Sequence, residues 1–329
     1  MTMIARACSL LLALISVAAF PSPGFGAGIP MRLLYPSFAA SWATTWIAKE
    51  AGYFSAEGLD VELIRVGGST RMVAAMLGGS APIIQAGASA ALAAAAGGAN
   101  VVIIAATGNV SPFHLMARPE IKQAVDLKGK KAGITTFGST SDEVVRLALK
   151  HFALEPNKDV AVLTFGAQPE VFAALQSGVI QVAALSYPLY AKAAQAGMRE
   201  LVRISDIGSE DINGTVITTR SFVAQHRDLG MRFMRGFVRG VHRYRTDKEF
   251  SKKVMAKYGK ISDDELLEGA WQDYAPTLLR VPRPSLKAIQ ALIDNQFKDK
   301  NPLPKPASFV DTSLIDELQK SGFIDSVWK

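Results

Sequence analysis

Val61-Glu62-Leu63-Ile64-Arg65-Val66-Gly67-Gly68-Ser69-Thr70 passes from one periodicity to another within ten residues. Its apolar alternation predicts a strand and its two glycines a turn, and Met72, Val73, Met76 and Leu77 just beyond recur at helical spacing. Strand, glycine-rich turn and helix in that order form the repeating unit of a parallel sheet. The same grammar returns at Ala132-Gly133-Ile134-Thr135-Thr136-Phe137-Gly138-Ser139-Thr140, followed by Val144, Val145, Leu147, Ala148 and Leu149 on a second helix, so Gly-Ser-Thr occurs once in each half. Helix starts of this kind offer free backbone N–H groups and the positive end of the helix dipole to an anion or a polar group. Glycine lets a ligand approach the backbone, and serine or threonine adds a hydroxyl. Two roles fit Ser69 and Ser139. They cap their own helices, or, with Gly67, Gly68, Thr70, Gly138 and Thr140, they face each other across a cleft that holds one small molecule.

Upstream, Met31 to Tyr35 reads as a first strand, Pro36 to Ser41 as a small-residue loop, and Trp42, Trp46, Ile47 and Lys49 as a helix ended by Gly52. Downstream, Ala81 to Thr107 is almost wholly apolar but broken by glycine pairs. It reads as buried strands at 82–85 and 101–105 around an alanine-rich helix rather than as a membrane span, because both faces of a parallel sheet are covered. His114 to Ala117 is a strand leaving this unit. Strands at 132–135, 160–165, 180–185 and 200–204 then alternate with helices at 141–152, 170–176 and 188–195, and 212–219 reads as a returning strand. From Arg220 onward the pattern is mostly helical, with proline breaks near Pro282, Pro284 and Pro302 to Pro306.

The chain has 329 residues, 49% of them hydrophobic and 20% charged, which suits two globular domains and excludes bulk disorder. Arg6, the apolar run Ala7 to Phe20 and Phe25-Gly26-Ala27 read as an exported leader covering residues 1–27, since the run falls short of the ~20 residues a span needs. The single cysteine, Cys8, lies inside it, so the mature chain has no thiol for disulfide, metal or redox chemistry. A net charge of +7 is compatible with anionic small molecules or an anionic membrane surface and selects neither.

Four helix starts converge in this reading: Ser37 to Ser41, Gly67 to Thr70, Ala88-Ser89 and Gly138 to Ser141, with Ser186-Tyr187-Pro188 as a fifth. Phe38, Trp42, Phe137 and Tyr187 lie beside them and would offer a flat apolar wall, although each is equally a core residue by composition. Arg71 is the nearest cation and has a solvent-facing alternative. Gly87-Ala88-Ser89-Ala90-Ala91 lacks the closing glycine of a nucleophile elbow, so Ser89 reads as a cap. No phosphate loop, no zinc-type histidine motif and no paired cysteines occur, and the four histidines are dispersed. No catalytic residue, metal or cofactor is therefore expected. His114 reads as structural, on a strand between the two halves. The helix from His226 to Arg245 carries Arg232, Arg235, Arg239 and Arg243 on one face, with Phe233, Phe237, Val241 and Tyr244 toward the core. It reads as a solvated amphipathic helix rather than a nucleic-acid or membrane surface.

Trp46-Ile47-Ala48-Lys49-Glu50-Ala51-Gly52-Tyr53-Phe54, Glu57 to Glu62, Gly67-Gly68-Ser69, Asp126 to Lys131 leading to Gly138-Ser139-Thr140, and Ala173 to Gly178 together resemble one family across nearly all of the mature chain. It is the periplasmic substrate-binding proteins of ABC importers, in the SsuA/THI5-like (NMT1) group that includes sulfonate, taurine and nitrate binders. The resemblance implies an α/β protein of the type II two-lobed class: each lobe a parallel-type sheet flanked by helices, two crossing hinge strands, and a helical C-terminal region. Residues 28–114 and 216–329 would form the lobe with both termini and 115–215 the other. It further implies a periplasmic monomer that binds a small organic solute, anionic or planar and polar, and docks on the transmembrane subunits of an ABC permease, with no nucleic acid and no stable membrane insertion. The family's ligand loops fall on Ser37 to Ser41, Gly67 to Thr70, Ala86 to Ser89 with Gly87, Gly138 to Thr140, and Ser186-Tyr187. Gln85-Ala86-Gly87-Ala88 departs from the acidic or polar residue that many relatives carry in the third loop, so no relative's ligand transfers. Eukaryotic relatives that make the thiamine pyrimidine leave an enzyme as the alternative. That chemistry is associated with a histidine and a Cys-rich motif, and the mature chain has no cysteine. A ligand-presenting sensor is compatible with the same residues.

Overall fold

The computed structural model describes residues 28–207, 211–297 and 302–329; the leader expected over residues 1–27 lies outside them. Two five-stranded sheets organise the chain. In the first, β1 (Ile29–Tyr35) lies between β2 (Leu59–Arg65) and β3 (Ile83–Ala86), parallel to both, with Ile29 opposite Leu59 and Tyr35 opposite Arg65. In the second, β6 (Lys130–Ile134) lies between β7 (Val160–Thr164) and β8 (Val182–Ser186), again parallel to both.

Each sheet also contains one reversed strand, so these parallel-type sheets are mixed at the strands that cross between them. β10 (Thr215–Thr219) runs antiparallel between β3 and β4 (Val101–Ala105), and β5 (Phe113–Ala117) runs antiparallel between β8 and β9 (Arg199–Arg203). These two strands are where the chain enters the second sheet and where it comes back to the first. Their lead-in segments bond to each other: Thr107 N–H donates to the Asn213 carbonyl at 2.9 Å, and Asn213 N–H donates to the Gly108 carbonyl at 2.8 Å.

Burial explains the apolar run 81–107. Ile83, Ile84, Leu92 and all of β4 are buried under helices on both faces of the first sheet. Among the described residues no helix is long and apolar enough to cross a membrane. Gln85, the polar interruption, does not reach the cleft. It is fully buried, accepting from Thr45 Oγ1 and donating to Thr44 Oγ1, both at 2.8 Å. Gln85→Leu is expected to strand the Thr44 hydroxyl, to leave Thr45 with the Trp42 carbonyl alone, and to lower stability by about 2 kcal/mol, read as a lower urea midpoint with unchanged slope.

The basic helix (Arg227–Thr246) packs Phe233, Phe237, Val241 and Tyr244 into the first lobe's core. Its arginines are engaged by the chain's own acids: Arg235 and Arg239 bind Glu57 at 2.5 and 2.7 Å, Arg232 binds Asp228, and Arg243 binds Asp247. The amphipathic reading of this segment therefore describes how it packs.

Candidate ligand cleft

The carboxyl ends of β1, β2, β3, β6, β7 and β8 all open toward the junction of the two sheets, where α/β sheets hold ligands. Their loops enclose a narrow cleft of about 50 Å³ that opens to solvent. The first lobe contributes Ser37, Ser41 and Trp42 after β1, Gly68 and Ser69 after β2, and Gly87 after β3; the second contributes Ser139 and Thr140 after β6 and Ser186 after β8.

Local geometry shows why small residues stand here. Gly68 has φ +82°, a backbone region closed to ordinary L side chains, and a Cβ at this position would come within 2.8 Å of Thr136 in the other lobe. Gly87 has an ordinary backbone, φ −71° and ψ 140°, but its Cβ would fall 1.8 Å from Thr140 Oγ1. The lobes are thus in contact across the two glycines. Thr70 Oγ1 donates to the Phe137 carbonyl at 3.0 Å, and Ser89 Oγ donates to the Glu143 carboxylate, both between lobes.

The serines do more than end helices. Ser69 Oγ accepts from Gly87 N–H at 3.0 Å and so ties the second loop to the third. Ser139 occupies the N-cap position of helix Thr140–His151 but makes no side-chain cap bond; its hydroxyl joins Thr135 Oγ1, Ser141 Oγ and the Thr136 carbonyl. Ser89 was expected to cap its helix. It bonds Glu143 instead, because the second lobe presents a carboxylate within its reach.

Other expected residues take different places. Gly67, Thr70, Ser89 and Gly138 stand in the contact between lobes beside the cleft; a Cβ on Gly67 would meet that of Ala167 at 2.8 Å, and one on Gly138 would lie 3.8 Å from Thr70 Oγ1. Phe38 and Tyr187 line an adjoining pocket with Ser37 and Ser186, and Tyr187 is buried with its hydroxyl end against Gly269. Phe137 offers its carbonyl while its ring is 53% exposed, so Trp42 and Phe113 supply the cleft's aromatic surface. His114 lies outside the cleft lining, with Nδ1 2.6 Å from Glu200 and its ring stacked 3.7 Å from that of Tyr190.

Sequence reasoning missed Thr135, Gln168 and Asp211. Gln168 opens a helix after Phe165-Gly166-Ala167, the same strand-to-helix grammar, and its amide bridges the Ala184 carbonyl and Ser186 N–H. Asp211 sits in the return segment, where no periodicity marks it. Burial pushes its carboxyl up, and burial together with the neighbouring Asp211 charge pushes the Glu143 carboxyl up to about 8.

A sequence model described as NMT1/THI5 like matches residues 40–248. No curated protein matches the chain. Several solved structures are similar in fold. A protein of Bordetella bronchiseptica RB50 has TM-score 0.80 at 19% identity, covering 90% of this chain and 98% of its own. The alkanesulfonate-binding protein SsuA from Xanthomonas axonopodis pv. citri, bound to MOPS, has TM-score 0.71 at 18% identity, covering 84% and 95%. The ligand-binding component of an ABC-type import system from Staphylococcus aureus, with zinc bound, has TM-score 0.71 at 16% identity, covering 88% and 98%.

Proposed function

The chain belongs to the NMT1/THI5-like family, and from that premise we propose that it is an extracytoplasmic solute-binding protein. It captures one small polar organic molecule between its lobes and presents it to the transmembrane subunits of an ABC importer. The observation that carries this reading is the meeting of Gly68, Ser69 and Gly87 with Thr136, Ser139 and Thr140 across a cleft, on two sheets joined by a pair of crossing segments. Such an arrangement can open and close about its connectors, and a ligand stabilises closure by as much as it prefers the closed form. The names of similar structures, an alkanesulfonate-binding protein and an ABC-type import component, support the same role. In this reading export places the protein in the periplasm, where it acts as a monomer.

A thermal-shift screen of a broad library of small polar organic solutes tests it. Ligand at 100 times its Kd contributes about 2.7 kcal/mol to the folded state, so a true solute raises the melting temperature by several degrees. A library that leaves the melting temperature flat across sulfonates, carboxylates, amines and heterocycles would sink the proposal.

A further inference from the structure

Resting on the reading of the cleft as a solute site, we infer that the solute presents a cationic nitrogen head, a protonated amine or an amidinium, to Asp211. Three observations point this way. Among the described residues that line the cleft, Asp211 alone is charged; no lysine, arginine or histidine joins it. A bound anion would face that carboxylate with no lining cation to offset it.

Three backbone donors beside the cleft are also taken. Gly138 N–H gives its hydrogen bond to Asp142 Oδ2 at 2.9 Å, Thr135 N–H to Ser141 Oγ at 2.9 Å, and Gly87 N–H to Ser69 Oγ at 3.0 Å. Those three N–H groups are therefore not offered to an anion. Arg146 is bound to Asp142 at 2.6 Å, and Arg71 lays its guanidinium over Gly166, outside the lining.

Acceptors, in contrast, are left over. Asp211 Oδ1 accepts from the adjacent Ile212 N–H at 2.7 Å, and the Ser111 hydroxyl stands beside the same carboxylate. Thr140 Oγ1, on a lining residue, is fully buried and has no hydrogen-bond partner.

The test is a charge-matched series on the mature protein: benzylamine and benzamidine, benzenesulfonate and benzoate, and benzyl alcohol, together with aliphatic members of each class, read by thermal shift and calorimetry. Amines or amidines are expected to bind, and the sulfonates, carboxylates and alcohols to bind at least tenfold more weakly. Asp211→Asn is expected to weaken cation binding tenfold or more while the unliganded melting temperature holds or rises. Asp211→Ser is the second variant should Asp211→Asn fail to fold. Binding by anions or neutral alcohols with no cation response overturns the charge class and leaves solute capture standing. Cation binding unchanged in both variants also overturns the inference. Silence from every class overturns solute capture itself, and this inference with it.

Discussion

Gly87→Ala is expected to give a protein that folds but whose lobes no longer meet. The backbone at Gly87 is one that any residue adopts, and within its own lobe the nearest atom to the added methyl is Ser69 Oγ, at 3.2 Å. Across the cleft it lands 1.8 Å from Thr140 Oγ1, and the closed form must deform to admit it. Overpacking of this kind costs about 3 kcal/mol at the upper end of its usual range. Charged to the closed form alone, that cost lowers the apparent affinity for a captured solute roughly 100-fold. Thr140→Ala in the same chain removes the overlapping oxygen, leaves the Thr140 Cβ at 3.1 Å, and should restore part of the affinity. Because Cys8 is the only cysteine, labels placed at Leu77→Cys and Val179→Cys in a Cys8→Ser background report the separation of the lobes directly. Gly87→Ala should show the longer separation with and without solute. A variant that closes normally would mean that the contact is not part of closure.

The second large effect is expected at the crossing segments. Gly214 has φ +60°, and its Cβ would lie 1.9 Å from Thr107 Oγ1 on the other connector. A side chain in left-handed backbone costs roughly 1–2 kcal/mol, and overpacking adds about 1–3. Gly214→Ala should therefore lose about 2–5 kcal/mol of unfolding free energy in urea. Thr107→Ala beside it removes the overlap but not the backbone cost, so the double variant should recover all but roughly 1–2 kcal/mol. Equal stability of Gly214→Ala and the parent would show that the crossing is loose.

What the sequence disclosed follows from periodicity and small-residue turns. The run Val61 to Thr70 and its counterpart Ala132 to Thr140 mark strand, turn and helix within a single local stretch, and the two turns do meet across the cleft. The buried strands of 81–107 were legible because glycine pairs divide the run. The reversal of β5 and β10 was not, since an apolar strand reads alike in either direction and only its neighbours' hydrogen bonds decide. Asp211 stayed hidden for a related reason. A lone aspartate in a polar loop acquires meaning only when the return segment lies along the cleft. Phe137 and Ser89 show the converse: a residue's type suggested an apolar wall and a cap, whereas the opposing lobe turned one ring to solvent and gave the other hydroxyl a carboxylate.

The interleaving of the two sheets also sets an order of assembly. All five strands of the second sheet lie in one continuous segment, Phe113 to Arg203, whereas the first sheet needs β10, which comes after them. A chain emerging N-terminus first thus has the complete strand set of the inner lobe while β3 and β4 still wait for the strand that joins them. Until residues 215–219 appear, those two hydrophobic strands keep open the edges that β10 later pairs with, and open apolar edges invite aggregation.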